Sequence, residues 1–342
     1  MPDSLPGSWI ERAWYSGRAP WPLRPLSWIF QLVVTVRRKL YAVGLLPSGH
    51  PGVPVIVIGN ISVGGTGKTP LTLWLAGQLA ARGLKVGIAT RGYGGATRKA
   101  RLVPPDADPL EFGDEPVLLA RRSGCLVCVA TNRLDAAREL VANGCQAILC
   151  DDGLQHLALR RDLEIAVVDA TRGLGNGWML PAGPLRESVR RLARVDMVVL
   201  NGTQSPVLDV SADRVVRMEL EPGTAHSVAG HRLAGLDGFR AGPVHAFAAI
   251  GNPERFFSML RANGIELRAH PFADHHPYDA SDFATGDAYP ILMTEKDAVK
   301  CVRIADERMW YVPVTARLPE ADAARLLGVV AARLAGGVKT GA

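Results

Sequence analysis

Val55-Ile-Val-Ile-Gly-Asn-Ile-Ser-Val-Gly-Gly-Thr-Gly-Lys-Thr-Pro70 is the stretch whose reading decides the fold. Its apolar start reads as a buried strand. A glycine-rich loop follows and ends in Gly67-Lys68-Thr69, directly ahead of a segment with helical apolar spacing. Strand, loop and helix in that order form the context of a phosphate-binding P-loop. The predicted cradle is Ser62, Val63, Gly64, Gly65, Thr66, Gly67, Lys68 and Thr69. Backbone N–H groups and a helix N-terminus face the triphosphate, the lysine reaches its outer phosphates, and the threonine hydroxyl ligates Mg²⁺. The strict pattern has glycine where this chain has Ser62, and Gly64 and Gly65 keep the backbone open to an anion instead. An ordinary strand-to-helix turn is the bland alternative; the coincidence of strand, Gly-Lys-Thr and helix argues against it. Pro70 suits a first helical turn, Leu71, Trp74, Leu75 and Leu79 give the helix a buried face, and Gly83 ends it.

Downstream, strand and helix signals alternate. Leu84 to Thr90 reads as a strand followed by the turn Arg91-Gly-Tyr-Gly-Gly95. Val117 to Arg122 and Arg133 to Asn143 read as helices, and Cys125 to Ala130, Ala147 to Cys150, Glu164 to Val168 and Met197 to Leu200 as strands. Such alternation predicts an α/β fold with a mostly parallel sheet flanked by helices, whose ligands bind beyond the carboxyl ends of the strands. A second, smaller α/β unit begins near Val244, with strands at Val244 to Ile250, Ile265 to Pro271, Tyr289 to Met293 and Met309 to Val314, and a last helix from Pro319 to Ala335. The organisation read from these signals is an amino-terminal segment (1–44), a P-loop domain (45–202), a β-rich connection (203–243) and a carboxyl-terminal α/β domain (244–342), with a loose tail from Gly336.

Phosphoryl transfer needs a phosphate cradle, Mg²⁺ with its carboxylates, a group to take the nucleophile's proton, and positive charge on the γ-phosphate. Ala147-Ile-Leu-Cys-Asp151-Asp152-Gly is an apolar strand ending in paired acids, the arrangement that faces a P-loop metal. His156 follows in the same turn, either as a site group or as a turn histidine. Gly113-Asp114-Glu115-Pro116 reads as a capped helix start or as active-site carboxylates. Asp274-His275-His276 is the densest polar cluster of the second unit and favours acid/base or hydrogen-bonding work over metal ligation. Arg186, delivered by a Pro/Gly loop, reads as a candidate γ-phosphate clamp or, with Arg190, Arg191 and Arg194 following closely, as a solvated arginine. Lys296-Asp297 is an ion pair at a helix start or a substrate contact.

The chain carries a net charge of +6, which fits nucleic acid, an anionic membrane face or a phosphorylated substrate without choosing among them. The five cysteines include a Cys125-x-x-Cys128 pair in an apolar run without a second pair, so buried free thiols in a reducing compartment are expected rather than zinc. No signal peptide is evident at the N-terminus. The apolar stretch Leu26 to Val36 is shorter than the roughly twenty residues a spanning helix needs. Trp9, Trp14, Trp21 and Trp28, interleaved with Arg12, Arg18 and Arg24 and followed by Arg37-Arg38-Lys39, read as an interfacial element lying on an anionic leaflet. A helix packed on its own domain is the alternative.

Taken in order, Ser-Val-Gly-Gly-Thr-Gly-Lys-Thr-Pro, Thr90-Arg-Gly-Tyr-Gly, Gly113-Asp-Glu-Pro, Asp151-Asp-Gly-Leu-Gln-His, Pro181-Ala-Gly-Pro-Leu-Arg-Glu, Phe272-x-Asp-His and Thr294-Glu-Lys-Asp-x-Val-Lys resemble the tetraacyldisaccharide 4′-kinase family, the lipid A 4′-kinases of Gram-negative bacteria. Ser62 belongs to that family's own loop. The resemblance implies two α/β/α units joined by a short β linker, with a membrane-associated N-terminal helix. It implies ATP- and Mg²⁺-dependent phosphorylation of the 4′-hydroxyl of a tetraacylated glucosamine disaccharide 1-phosphate, giving the 1,4′-bisphosphate. The enzyme would work as a peripheral protein on the cytoplasmic face of the inner membrane, with a lipid substrate and no nucleic acid partner. Lys68, Asp114, Asp152, Arg186 and His275 would be catalytic. Asp114 would pair with the histidine of the Asp-His motif, read as His275 with His276 next to it. Thr69, Glu115 and Asp151 would surround Mg²⁺. A membrane-associated P-loop switch ATPase of the partitioning type is the rival reading; such proteins carry an extra lysine early in the loop, where this chain has Ser62 and Val63.

Overall fold

The computed structural model describes residues 9–92 and 99–336. Residues 1–8 of the amino-terminal segment, 93–95 of the predicted glycine turn and 337–342 of the tail lie outside the described residues. In chain order the strands are β1 (Val55–Gly59), β2 (Val86–Thr90), β3 (Arg101–Leu102), β4 (Leu126–Val129), β5 (Ala147–Asp151), β6 (Leu163–Asp169), β7 (Met197–Asn201), β8 (Val215–Pro222), β9 (Ala225–Ser227), β10 (Leu233–Ala234), β11 (Val244–Ala248), β12 (Leu267–Pro271), β13 (Ile291–Thr294), β14 (Met309–Val312) and β15 (Val314–Arg317). The helices are α1 (Trp9–Tyr15), α2 (Arg24–Ala42), α3 (Lys68–Ala80), α4 (Pro109–Phe112), α5 (Asp114–Ser123), α6 (Arg133–Ala142), α7 (Pro253–Ala262), α8 (Glu295–Cys301) and α9 (Glu320–Ala335).

Nine strands form the first sheet in the order β15-β8-β7-β6-β1-β5-β2-β4-β3. From β8 to β4 all pairings are parallel, and β15 and β3 close the edges antiparallel. Parallel strands are covered on both faces, which is why β1 is apolar along its whole length. Val55 and Val57 face a core shared with Leu134 and Leu140 of α6. Ile56 and Ile58 face the opposite core, against Leu71, Leu75 and Leu79 of α3. The carboxyl ends of β1, β5, β6 and β7 then carry the P-loop, Asp151, Asp169 and Asn201. A second sheet, β10-β9-β14-β13-β11-β12, is parallel from β14 to β12. Its two cores gather around Phe257 and Leu260 on one face and Phe247 and Phe283 on the other.

The carboxyl-terminal residues depart from the expected organisation. The run Met309 to Val314 reads as one strand, yet Pro313 has no N–H to continue a ladder and divides it. β14 stays in the second sheet, whereas β15 pairs with β8 of the first, with Thr315 opposite Glu221. Helix α9 follows it and buries Leu326 and Val330 beside Val216 and Met218. Residues 314–335, read with the second unit, therefore complete the first. The connection is also redistributed: β8 belongs to the first sheet and β9 to the second. Two strand runs, β8–β9 and β14–β15, cross side by side between the sheets, joined where Gly223 N–H donates to the Pro313 carbonyl (2.8 Å).

No helix among the described residues is long and apolar enough to cross a membrane. Helix α2 rests Phe30 and Val34 on the first sheet's core. Ser27 Oγ donates to the Met179 carbonyl (2.7 Å), Trp14 Nε1 to that of Pro181 (2.9 Å), and Arg38 pairs with the buried Glu187. The opposite side of α2 leaves Trp28, Ile29, Leu32, Val33 and Val36 exposed, an apolar stripe at helical spacing. The cysteines are free thiols, four buried and Cys125 half-buried.

Because α9 seals the first core, Leu326→Ala should lower the unfolding free energy by about 2–4 kcal/mol in denaturant titrations. A loss below about 1 kcal/mol would show that α9 does not carry that core.

Candidate active site

Helix α3 begins at Lys68, behind Gly67 in a left-handed conformation (φ 96°). A Cβ at Gly67 would stand 2.3 Å from Asn201 Nδ2, so only glycine fits the turn. Asn201 Nδ2 donates to the Thr66 carbonyl (2.9 Å) and Asn60 Nδ2 to that of Gly64 (3.3 Å). These bonds occupy loop carbonyls that would otherwise repel a phosphate. Val63 N–H donates to the Pro184 carbonyl (2.8 Å), which ties the cradle to the loop bearing Arg186.

Asp151 closes β5 directly beneath α3. Its carboxylate is buried and accepts from Thr72 Oγ1 (2.9 Å) and Thr69 Oγ1 (3.2 Å). Burial, reinforced by the charge of Glu115, pushes it up to about 6. A buried carboxylate with that surplus of negative charge, paired with the P-loop hydroxyl, suits a hard divalent cation. Mg²⁺ takes one or two protein oxygens and fills its remaining positions from phosphate and water, and no cage of three His, Cys, Asp or Glu side chains occurs among the described residues. Asp152 adopts positive φ (49°) and turns the other way. Its carboxylate lies 3.6 Å from Lys68 Nζ and 3.3 Å from Arg186 Nη1. Burial opposes its charge, but Lys68, Arg186 and Arg133 prevail and hold it at about 2. Lys68, Asp152 and Arg186 thus converge at the mouth of the loop.

The second sheet presents its own carboxyl ends to the same cleft, a cavity of about 1960 Å³. His275 Nδ1 lies 3.0 Å from Asp114 Oδ2, so the two sequence-predicted partners meet across the units. Among the described residues, Asp152 and His275 (φ 63°) are the non-glycine residues at positive φ, a costly conformation that sites retain for placement. Burial pushes Asp114 up, but the His275 hydrogen bond and the charge of Lys296 outweigh it and lower its pKa. The Asp114 hydrogen bond raises that of His275 against burial and Lys296. His276 turns away to Asp282 Oδ2 (3.0 Å) and packs on Phe272, which separates the roles of the two adjacent histidines. Glu115 directs Oε1 at Lys296 Nζ (3.0 Å), and its charge also acts on Asp151. Asp114 opens α5 behind Gly113 rather than capping it.

His156 lines the cleft wall, where Nε2 accepts from Arg133 N–H (3.1 Å). Burial and then Arg133 and Arg161 push it down to about 3, so it is a neutral brace for the start of α6. Several residues in the cleft carried no chemical reading from the sequence. The loop after β11 presses on the P-loop so closely that a Cβ on Gly251 would lie 2.6 Å from Gly65 N. Arg172 donates to the Gly251 carbonyl (3.1 Å) and Asn252 Oδ1 (2.8 Å), and Asp169 accepts from Asn252 (3.3 Å) and pairs with Arg255 (2.5 Å). The Asn252-Pro253 helix start was the one local signal for this clasp. Of Lys296-Asp297, the lysine faces the cleft and the aspartate is fully buried.

Residues 19–331 match the family described as tetraacyldisaccharide-1-P 4′-kinase. A tetraacyldisaccharide 4′-kinase of Nitrosococcus oceani is 46% identical, over 94% of each chain. One from Alkalilimnicola ehrlichii is 47% identical, over 95% of this chain and 96% of that protein. Among solved structures, an "apo" form of LpxK from Aquifex aeolicus in complex with ATP is similar with a TM-score of 0.74 and 28% identity, covering 90% of this chain and 97% of the other.

The Asp151 value lies above that of an unfolded aspartate, so its charge opposes folding at pH 7 and the penalty lifts as pH falls through 6 toward 4. Without ligand, Asp151→Asn should be more stable than the parent by about 1–3 kcal/mol at pH 7.5, and by less at pH 5. Denaturant unfolding at the two pH values measures this. A variant less stable than the parent at pH 7.5 would contradict the charge surplus.

Proposed function

The chain belongs to the tetraacyldisaccharide-1-P 4′-kinase family, and from that premise we infer how its residues share the work of the reaction. The enzyme transfers the γ-phosphoryl group of ATP to the 4′-hydroxyl of a tetraacylated glucosamine disaccharide 1-phosphate, in lipid A biosynthesis. The observation that carries the division of roles is the 3.0 Å contact between Asp114 and His275, which joins the two sheets at the mouth of the P-loop.

A sugar hydroxyl is a poor nucleophile, so a positioned group must take its proton. The Asp114–His275 pair receives it as the O4′–Pγ bond forms; the bond from Pγ to the bridging oxygen breaks, and ADP leaves with that electron pair. The loop from Ser62 to Thr69 cradles the triphosphate. Lys68 and Arg186 face the γ-phosphate and stabilise the charge that develops on it. Asp152, already paired with both, orients them. Thr69 and Asp151 would hold Mg²⁺, which supplies neutralising charge to the phosphate oxygens, and Glu115 lies behind them against Lys296. The clasp of Arg172, Asn252 and Asp169 brings the second unit over the P-loop, which excludes water and limits ATP hydrolysis.

The substrate's own phosphate and its acyl chains fit the rest of the molecule. Arg37, Arg91 and Arg133 line the cleft beside Arg186 and give an anionic sugar a basic wall. The stripe of Trp28, Ile29, Leu32, Val33 and Val36 matches a helix lying in the headgroup boundary of an anionic leaflet. We place the protein peripherally on the cytoplasmic face of the inner membrane, where ATP and the lipid are both within reach.

With detergent-dispersed tetraacyl disaccharide 1-phosphate, ATP and Mg²⁺, the protein should form the 1,4′-bisphosphate, followed by chromatography of the lipid. Lys68→Ala should abolish most turnover, and Asp114→Ala and His275→Ala should each lower it roughly 10²–10⁴-fold. Consumption of ATP without a lipid product would instead favour a switch ATPase. For the membrane assignment, Leu32→Glu together with Val33→Glu should weaken sedimentation with anionic vesicles by at least about tenfold and leave the KM for ATP unchanged. Undiminished vesicle binding would refute that assignment.

A further inference from the structure

The turn that opens α8 fastens the two loops that the second sheet extends into the cleft. Thr294 caps it, its Oγ1 accepting from Asp297 N–H (3.2 Å). Asp297, fully buried, accepts from the backbone N–H of Ala249 (3.1 Å), which fixes the loop leading to Gly251. Lys300 pairs with Asp297 (2.9 Å) and donates to the His276 carbonyl (3.0 Å), which fixes the loop bearing His275. Lys296 projects between the units beside Glu295, which pairs with Arg122 of α5 (2.5 Å). Its ammonium lies 3.0 Å from Glu115 Oε1, 3.2 Å from Asp274 Oδ1, 3.4 Å from His275 Nε2 and 3.9 Å from Asp114 Oδ2. Three carboxylates around it raise its affinity for the proton despite burial, so it stays cationic.

An ammonium group has three protons and no lone pair. For the 3.4 Å contact to be a hydrogen bond, the ring nitrogen facing the ammonium offers its lone pair. That puts the proton of neutral His275 on Nδ1, the nitrogen that faces Asp114 Oδ2 at 3.0 Å. The charges agree. His275 is faced by Asp114 from α5, by Asp274 from its own loop (3.8 Å), and by Lys296 from α8. The two carboxylates draw a second proton onto the ring, and Lys296 resists it. Were the ring doubly protonated and held to Asp114, the pair would have little capacity to take a proton from a hydroxyl.

We propose that Lys296 is a positioning residue for the phosphoryl transfer: inserted from the second unit, its ammonium fixes the neutral Nδ1–H tautomer of His275 against Asp114 and cedes Nε2, the ring's proton-accepting atom, to the sugar hydroxyl when substrate enters. The proposal rests on the assignment of that pair as the proton acceptor. It also gives the pair a dependence on closure, because Lys296 reaches Glu115 and Asp114 only when the two sheets face each other.

Two measurements on the full chain in detergent test this. Two-bond ¹⁵N–¹H spectra of the histidine rings, with the His275 signals identified by their loss in His275→Gln, should show the Nδ1–H tautomer at pH 7.5. An Nε2–H tautomer in the unsubstituted protein overturns the proposal, and this needs no variant of Lys296 to fold. Profiles of kcat/KM against pH should show the acid limb of Lys296→Met displaced upward by about one pH unit, with kcat at pH 7 lowered up to about tenfold and the KM for ATP within about threefold. Lys296→Arg should restore most of the limb. An acid limb unchanged in Lys296→Met overturns the proposal. Should Asp114→Ala and His275→Ala both keep near-normal turnover, the proton-acceptor assignment itself fails, a result distinct from either outcome for Lys296.

Discussion

Compensation of buried charge across two facing sheets governs this molecule. Four carboxylates, those of Asp114, Glu115, Asp152 and Asp274, meet Lys68, Arg186 and Lys296 between the sheets, and Asp151 is buried at the end of β5. Ions taken out of water are costly unless paired. The pairing here is uneven by design of the backbone: Asp152 gains two cations and is held at about 2, while Asp151, one residue earlier, points into the protein and rises to about 6. Asp151 is the last residue of β5 and Asp152 the first beyond it, at positive φ (49°), and that turn makes one Asp-Asp pair into two different chemical groups.

Phosphoryl transfer asks a protein mainly for placement and charge, and the architecture supplies both from strand ends. β1, β5, β6 and β7 deliver the phosphate cradle and the carboxylates beneath it, and β11, β12 and β13 deliver the loops that carry Gly251, His275 and Lys296. Neither sheet holds a complete set. Asp114 is on the first and His275 on the second, so their 3.0 Å contact is made only where the two face each other.

Much of this was legible in the chain. The P-loop was, because an apolar run, a glycine turn and a helix start each leave a local pattern. The Asp151-Asp152 strand end was, because parallel strands are apolar and stop abruptly. The exposed apolar residues and bases of α2 were visible as composition, although which face lies on the protein depended on Phe30 and Val34 finding the first core. What escaped was relational. Residues 314–335 looked like a continuation of the second unit because the local signals do not say which sheet a strand will join; Pro313 marks the break only once β8 is seen waiting for a partner. Arg172 carried no reading, and Lys296 read only as an ion pair at a helix start or a substrate contact, since their partners Glu115, Asp274 and Asn252 lie far away in sequence. The choice between His275 and His276 likewise needed the loop: two neighbouring imidazoles diverge because the first sits at positive φ.

The chain passes between the sheets twice, by neighbouring antiparallel runs bonded at Gly223 and Pro313. A single tether would let one half swivel and drift in several directions. A ribbon two strands wide yields easily to flexing across its thin dimension and poorly to shear or torsion in its plane, much as a leaf spring does. Any bending of the two halves apart falls on this band, and its stiffness is set partly by β15 and α9, the strand and helix that continue from it into the first sheet.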